Sequence, residues 1–367
     1  MAGRIVVFGA TGYTGRLVSH ALVDRGARPV LAGRNVDSLK ELADELGGEL
    51  ETRGADVQRP ETVRALVERG DVLVSTVGPF NKFGAAAVEA AIDAGAHYID
   101  STGESHHIRR VFEEWGRGAE RAGCGLVTAF GYDFVPGNLA GALALEEAGD
   151  GARSVAIAYF NTGGGSMRDA MSGGTAASAA GVMLEKAYGF HGGRLVDERP
   201  AKRVESFDWN GKSLQGLSIG ASEHFALPRL YPNLRDVDVY LGWLGPASRA
   251  MQAVTLTTEV PGVRPALRGV IGRFAKGSSG GPDAEARSKT GSRFVAEARD
   301  GDGEVLARVL MRGPNGYTFT GDIIAWGAEH AAANGLEGSG ALGPVDAFGL
   351  QTLEAGCAEA GVQRAAP

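Results

Sequence analysis

The chain has 367 residues, enough for about two domains and a sizeable buried core. Hydrophobic residues make up 44% and charged residues 22%, which excludes wholesale disorder, and a net charge of −7 argues against a general nucleic-acid binder. Only Cys124 and Cys357 are present, too few for a disulfide framework or a thiolate zinc site. No apolar run approaches about 18 residues, so the reading is of a soluble, cytoplasmic protein without a membrane span or secretory signal. The 57 glycines are well above the usual share of about 7%. They follow no period, which excludes collagen and suits a loop-rich enzyme.

The first third alternates strands and helices. Arg4–Phe8 is a short apolar run bounded by glycine, the pattern of a strand buried on both faces. Thr14–Asp24 carries Leu17, Val18, Ala21 and Leu22 at helical spacing. Arg28–Ala32 reads as a strand, Val36–Leu46 as a helix, Asp71–Val77 as a buried strand and Ala85–Ala94 as a helix. His97–Asp100 and Gly125–Ala129 add short strands, with a helix over Ile108–Ala122 between them. This rhythm predicts β-α-β units in a doubly wound parallel sheet, with every strand's carboxyl end on one edge.

Gly9-Ala10-Thr11-Gly12-Tyr13-Thr14-Gly15 separates the first strand from the first helix. Glycine allows a sharp turn and close approach to a pyrophosphate, and the helix N-terminus favours negative charge. A dinucleotide site follows, with Gly9, Thr11, Gly12, Tyr13, Thr14 and Gly15 as candidate contacts. The second strand ends in Arg34-Asn35, where a cofactor lacking the 2′-phosphate ordinarily meets an acid. The guanidinium of Arg34 suits a phosphate dianion, so NADPH is the expected cofactor. Asp56 is a candidate neighbour of the adenine, with a plain loop aspartate as the equal alternative. Ser75, Val77, Gly78 and Pro79 form the loop expected beside the nicotinamide ribose.

Several linked motifs carry a resemblance. They are the glycine loop, Ala32-Gly33-Arg34, Val77-Gly78-Pro79-Phe80, His97-Tyr98-Ile99-Asp100-Ser101-Thr102-Gly103-Glu104, Gly131-Tyr132-Asp133-Phe134-Val135-Pro136-Gly137 and Ser172-Gly173-Gly174-Thr175. In these the chain resembles the saccharopine dehydrogenase-like (saccharopine reductase) family, including the trans-acting enoyl reductases. The resemblance implies a Rossmann domain over residues 1–135 and an inserted α+β domain over 136–335, built on a mixed or antiparallel sheet. It also implies a helical segment over 336–367 returning to the first domain, and NAD(P)-dependent hydride transfer to a C=C or C=N bond in an interdomain cleft.

Beyond Arg153 the rhythm changes. Ser154–Phe160, Val237–Tyr240 and Ala253–Val260 alternate like strands, and Thr175–Ala187 reads as a helix. Arg293–Arg299 and Glu304–Arg312 flank Asp300-Gly301-Asp302-Gly303, a hairpin signal. Lys276–Asp283 reads as a polar loop. Exposed sheet surface here is a candidate homodimer contact.

No tyrosine lies four residues before any lysine, which removes the Tyr-x-x-x-Lys mechanism of short-chain dehydrogenases. Tyr132 and Asp133 follow the last strand of the parallel sheet and are candidate proton donors, with a turn closed by an aspartate side chain as the alternative. Tyr98 is a third catalytic candidate, although structural hydrogen bonding is favoured around Tyr98, Asp100 and Glu104. His106 and His107 point apart on a helix, so no metal is expected. Ser172, Gly173, Gly174 and Thr175 open a helix whose amides suit a substrate carbonyl or carboxylate, with helix capping by Ser172 or Thr175 as the alternative; Arg168 nearby suits an anion or is one of many surface arginines. The expected partner is a small-molecule or carrier-bound acyl or imine substrate. The reading is an NADPH-dependent reductase; the alternative is an NADP(H)-binding regulatory or sensor protein without turnover.

Overall fold

The computed structural model describes residues 3–163, 186–242, 245–256 and 280–366. The strands are β1 Ile5–Phe8, β2 Val30–Gly33, β3 Thr52–Gly54, β4 Val72–Ser75, β5 His97–Asp100, β6 Gly125–Val127, β7 Ser154–Thr162 and β8 Ala187–His191. They continue as β9 Arg194–Glu198, β10 Val204–Trp209, β11 Lys212–Ser218, β12 Asp236–Leu241, β13 Gly291–Arg299, β14 Val305–Gly313, β15 Gly340–Leu342 and β16 Gln363–Arg364. The chain divides into two compact units. The first comprises Met1–Thr102, His106–Asp133 and Gly316–Ala360; the second comprises Gly103–Ser105, Phe134–Asn315 and Gly361–Pro367.

The first unit holds a seven-stranded sheet in the order β15-β6-β5-β4-β1-β2-β3, parallel throughout. Six of its strands keep the doubly wound order, which reverses between β1 and β4. Every residue of β1, β2 and β4 is buried, because helices cover both faces of a parallel sheet. The strand over Asp71–Val77 shortens to Val72–Ser75, since Asp71 instead pairs with Arg4. The edge strand β3 shows no apolar run; its three residues are half-buried or exposed. The expected helix over Ile108–Ala122 is three successive segments: Ser105–Arg110, a π-helical turn Val111–Trp115, and Gly116–Ala122.

The helix Gly316–Asn334 also belongs to the first unit, earlier in the chain than the expected return at 336. It packs on the helix Tyr13–Asp24, and a Cβ at Gly321 would lie 3.1 Å from that of Leu17. Helices Pro344–Phe348 and Leu350–Glu359 complete the unit. Cys124 and Cys357 are both buried free thiols.

The second unit holds a nine-stranded mixed sheet, β10-β11-β12-β7-β13-β14-β16, with β8 paired to β12 and β9. The β7–β12 pairing is parallel and the others are antiparallel. The helix Val135–Ala148 is buried from Val135 to Leu145 and packs on β7, β13 and β14. Two sequence expectations change here. Residues 253–256 lie in the helix Ser248–Leu256, where Ala250, Met251, Gln252 and Ala253 favour helix over strand; 257–260 fall outside the described residues. Ala187 opens β8, while 175–185 of the expected helix fall outside the described residues.

Candidate functional site

The carboxyl ends of β1 and β4 meet where the strand order reverses, and their loops interlock. Gly9 sits at φ +91°, a left-handed conformation that side chains resist, and a Cβ there would lie 2.7 Å from Thr76 Oγ1. The Thr76 hydroxyl donates to the Gly9 carbonyl at 3.1 Å, binding the two loops together. Gly15 approaches from the other side: a Cβ there would fall 2.1 Å from the Gly9 carbonyl oxygen. Gly12 differs from both. It is exposed, caps the helix Tyr13–Asp24 without a side-chain acceptor, and would place a Cβ no closer than 3.2 Å to its neighbours. The first turn of that helix contains no acid, so its amide dipoles face outward uncompensated. Thr11, Tyr13 and Thr14 are half-buried in the same turn, with Tyr13 edge-on to Tyr317 at 5.1 Å.

Arg34 is exposed just beyond β2 and has no ion-pair partner among the described residues. Its neighbour Asn35 is occupied: Oδ1 accepts the amides of Asp37 and Ser38 at 3.0 and 3.2 Å, capping the helix Val36–Glu45. Asp56 closes a turn by accepting the Gln58 amide at 2.9 Å. On the far side of the glycine loop, Ser75 is fully buried, Val77 is half-buried against the core, and Gly78-Pro79 is a cis peptide leading into buried Phe80. These loops lie in strand order along one sheet edge, with Arg34 on one side of β1 and Ser75–Pro79 on the other.

Asp100, at the end of β5, organises the next stretch. Its fully buried carboxylate accepts the Thr102 amide at 2.9 Å, the Ala129 amide at 2.8 Å and the Thr128 hydroxyl at 2.9 Å, and meets His107 Nε2 at 3.2 Å. Burial alone would raise its pKa, but the His107 contact and the donated amides outweigh it and hold the carboxyl below its usual value. Asp100 thereby fixes Ala129 at φ +57°, where the chain turns toward Gly131-Tyr132-Asp133. His107 also packs on Phe80 at 5.5 Å, tying this cluster to the Gly78-Pro79 loop. Its role is not legible in the sequence, where His106-His107 carries no signal beyond a spacing unsuited to a metal. Among the described residues, no group of His, Cys, Asp and Glu could hold a metal ion.

The three catalytic candidates fare differently. Tyr98 is fully buried in the core, its hydroxyl without a well-formed hydrogen bond among the described residues and its pKa well above 10 through burial and the charge of Asp100. Tyr98, Ile99 and Asp100 are all buried, because β5 is covered on both faces, and this favours the structural role for Tyr98. Tyr132 is buried, its amide donating to Thr320 Oγ1 at 3.0 Å. Asp133 is half-buried as a residue, yet its Oδ1 is enclosed and has no hydrogen-bond partner among the described residues. Burial pushes its carboxyl up to about 7. Arg168, Ser172, Gly173, Gly174 and Thr175 lie outside the described residues.

A parallel sheet of this order, with a glycine turn at its switch point, defines a dinucleotide-binding fold of the dehydrogenase type. Residues 5–122 match the family model of the saccharopine dehydrogenase NADP binding domain. A Mycobacterium tuberculosis protein provisionally named a trans-acting enoyl reductase is 36% identical over 186 residues, covering 49% of this chain and 44% of that protein. A trans-acting enoyl reductase of Mycobacterium ulcerans is 35% identical over 140 residues, covering 37% and 34% of the two chains. The chain therefore spans less than half the length of these relatives. Among solved structures, the fold is similar to saccharopine dehydrogenase (L-Glu forming) of Saccharomyces cerevisiae, with TM-score 0.59 at 11% identity over 99% of this chain and 100% of that one. It is also similar to a homospermidine synthase of Legionella pneumophila solved with NAD, with TM-score 0.65 at 12% identity over 100% and 92% of the two chains.

Proposed function

We propose that the protein is an NADPH-dependent reductase of an activated double bond, with an enoyl C=C favoured over an imine by the names of the relatives. The observation that carries this reading is the switch-point turn. Gly9 and Gly15 are there for packing, whereas Gly12 is exposed at a helix N-terminus with nothing of its own to neutralise it. A pyrophosphate supplies the missing charge. Arg34 would hold the 2′-phosphate, and the Ser75–Pro79 loop would lie beside the nicotinamide ribose. The cofactor supplies hydride; the chain's part is to orient it and to provide a proton. Asp133 is the proposed donor, because an enclosed carboxyl with a pKa near 7 keeps a protonated fraction at neutral pH. The substrate is a free or carrier-bound acyl compound, and homodimerisation and a cytoplasmic setting belong to the same proposal.

The test follows NADPH oxidation with a panel of enoyl thioesters beside a panel of cyclic imines, with cofactor binding measured separately. Turnover of an enoyl thioester is expected. Turnover of imines alone would move the reaction to C=N, and tight binding without turnover on either panel would leave a dinucleotide-responsive regulatory protein.

A further inference from the structure

A cavity of about 770 Å³ opens in the second unit, separate in sequence from the cofactor loops. Its walls come from the start of β7, the β8–β9 hairpin, the helix Glu223–Leu230 and the turn leading into β12. Its size falls in the range of small-molecule sites. Phe190, Phe225 and Leu234 give it an apolar lining.

Its charged lining has one sign. Arg153, Arg229 and Arg235 all line the cavity and, among the described residues, no carboxylate does, in a chain where acids outnumber bases by 44 to 37. Arg153 is braced by the backbone: Nη1 donates to the carbonyls of Asp150 and Ala152 at 2.7 and 2.8 Å. Arg235 is fixed beside it, its amide donating to the Arg153 carbonyl at 2.6 Å. Neither guanidinium has an ion-pair partner among the described residues. The adjacent carboxylate of Asp236 is engaged elsewhere, 3.1 Å from His191 Nδ1.

His224 forms a neutral part of the wall. His224 lines the cavity at 2% exposure, and its Nε2 is a buried nitrogen with no hydrogen-bond partner among the described residues. Burial lowers its pKa to about 4, so the ring is neutral at physiological pH. Nδ1 lies 3.1 Å from both the amide and the carbonyl of Ala221, so this turn holds the ring in either tautomer.

We propose that this cavity binds an amphiphilic anion, an apolar body ending in a phosphate or carboxylate. The apolar lining takes the body and the arginines take the headgroup, which a planar guanidinium pairs with in a bidentate manner. The site stands apart from the reductase reading and does not depend on it.

Calorimetry on the full chain with decyl phosphate, decanoate, decanol and inorganic phosphate tests it. Saturable binding of at least one of the two amphiphilic anions is expected, the better of them naming the headgroup. Decanol and inorganic phosphate should each bind about tenfold or more weakly, since each lacks one half of the recognition. Arg235→Ala and Arg229→Ala, at exposed positions that leave the core untouched, should each weaken the anion by about threefold to tenfold. Arg235→Lys should recover part of the loss, and NADPH affinity should not move in any of the three. Equal binding of decanol, absence of saturable anion binding, or indifference to both alanine substitutions would overturn the proposal.

Discussion

Arg34 and Asp133 are in opposite electrostatic states. Arg34 is in water and unpaired among the described residues, so its pairing with a 2′-phosphate would be realised on binding. Arg34→Ala should therefore weaken NADPH by about 1.5–3 kcal/mol while leaving NADH nearly unchanged, measured by calorimetry with both cofactors. Equal losses would remove Arg34 from the 2′-phosphate. Asp133 instead carries a charge its surroundings do not welcome. Folding raises its pKa from the ordinary carboxylate value to about 7, so the native state binds that proton more tightly than the unfolded chain does. The associated stability is fully present below about pH 4 and is lost as pH rises through about 7. Asp133→Asn should raise Tm at pH 8 more than at pH 5. If Asp133 is the donor, kcat/KM falls as pH rises through about 7, and Asp133→Asn should cost about tenfold or more, at least 1.4 kcal/mol. Higher Tm with undiminished kcat/KM would remove it from the reaction. Both residues were legible as candidates because each follows a buried strand. The buried Asp100–His107 contact was not, since nothing in a sequence brings those two positions together.

At the level of elements, the three glycines of the first turn separate folding from binding. Gly12→Val adds bulk on the exposed face and should abolish NADPH binding, read by calorimetry, with little change in Tm. Gly15→Ala drives a methyl group into the Gly9 carbonyl 2.1 Å away, where backbone must move. It should destabilise by about 1–3 kcal/mol, lowering Tm even without cofactor. A Gly12→Val variant that keeps its affinity would end the dinucleotide reading of this turn. Parallel strands were easy to read because burial on both faces leaves continuous apolar runs such as Ile5–Phe8. The edge strand Thr52–Gly54 has no such run, and the helix Gly316–Asn334 is apolar on nearly every side, so no polar stripe marks its period. The hairpin around Asp300–Gly303 was legible from its turn chemistry alone, and β13 and β14 do pair antiparallel across it.

Across the whole molecule, neither unit is a continuous stretch of chain. The second sheet is finished by β16, which pairs Arg364 with Met311 and Gln363 with Arg312 beyond β14. Val362 anchors it: the side chain is fully buried, close enough that a Cβ on Gly313 would lie 2.4 Å from its methyl carbon. Val362→Asp should bury an unpaired carboxylate and lower stability by about 3 kcal/mol or more, read by thermal unfolding. It should also uncover the β14 edge, so that light scattering rises with protein concentration. Unchanged Tm and scattering would mean that β16 contributes nothing to the sheet.

The same interleaving bears on the order in which the protein can acquire its structure during synthesis. The dinucleotide fold begins at residue 5, but its seventh strand is Gly340–Leu342, and the helix packed on Tyr13–Asp24 is Gly316–Asn334. As the chain leaves the ribosome, β1 to β6 emerge together and then wait for β7 to β14 of the second unit to be made before β15 can complete their sheet. The second sheet waits in turn for residues 363 and 364. Both units thus complete within the same short interval of translation. Until then the β6 edge has no neighbour, leaving the nascent chain with an open strand to shield for most of its synthesis.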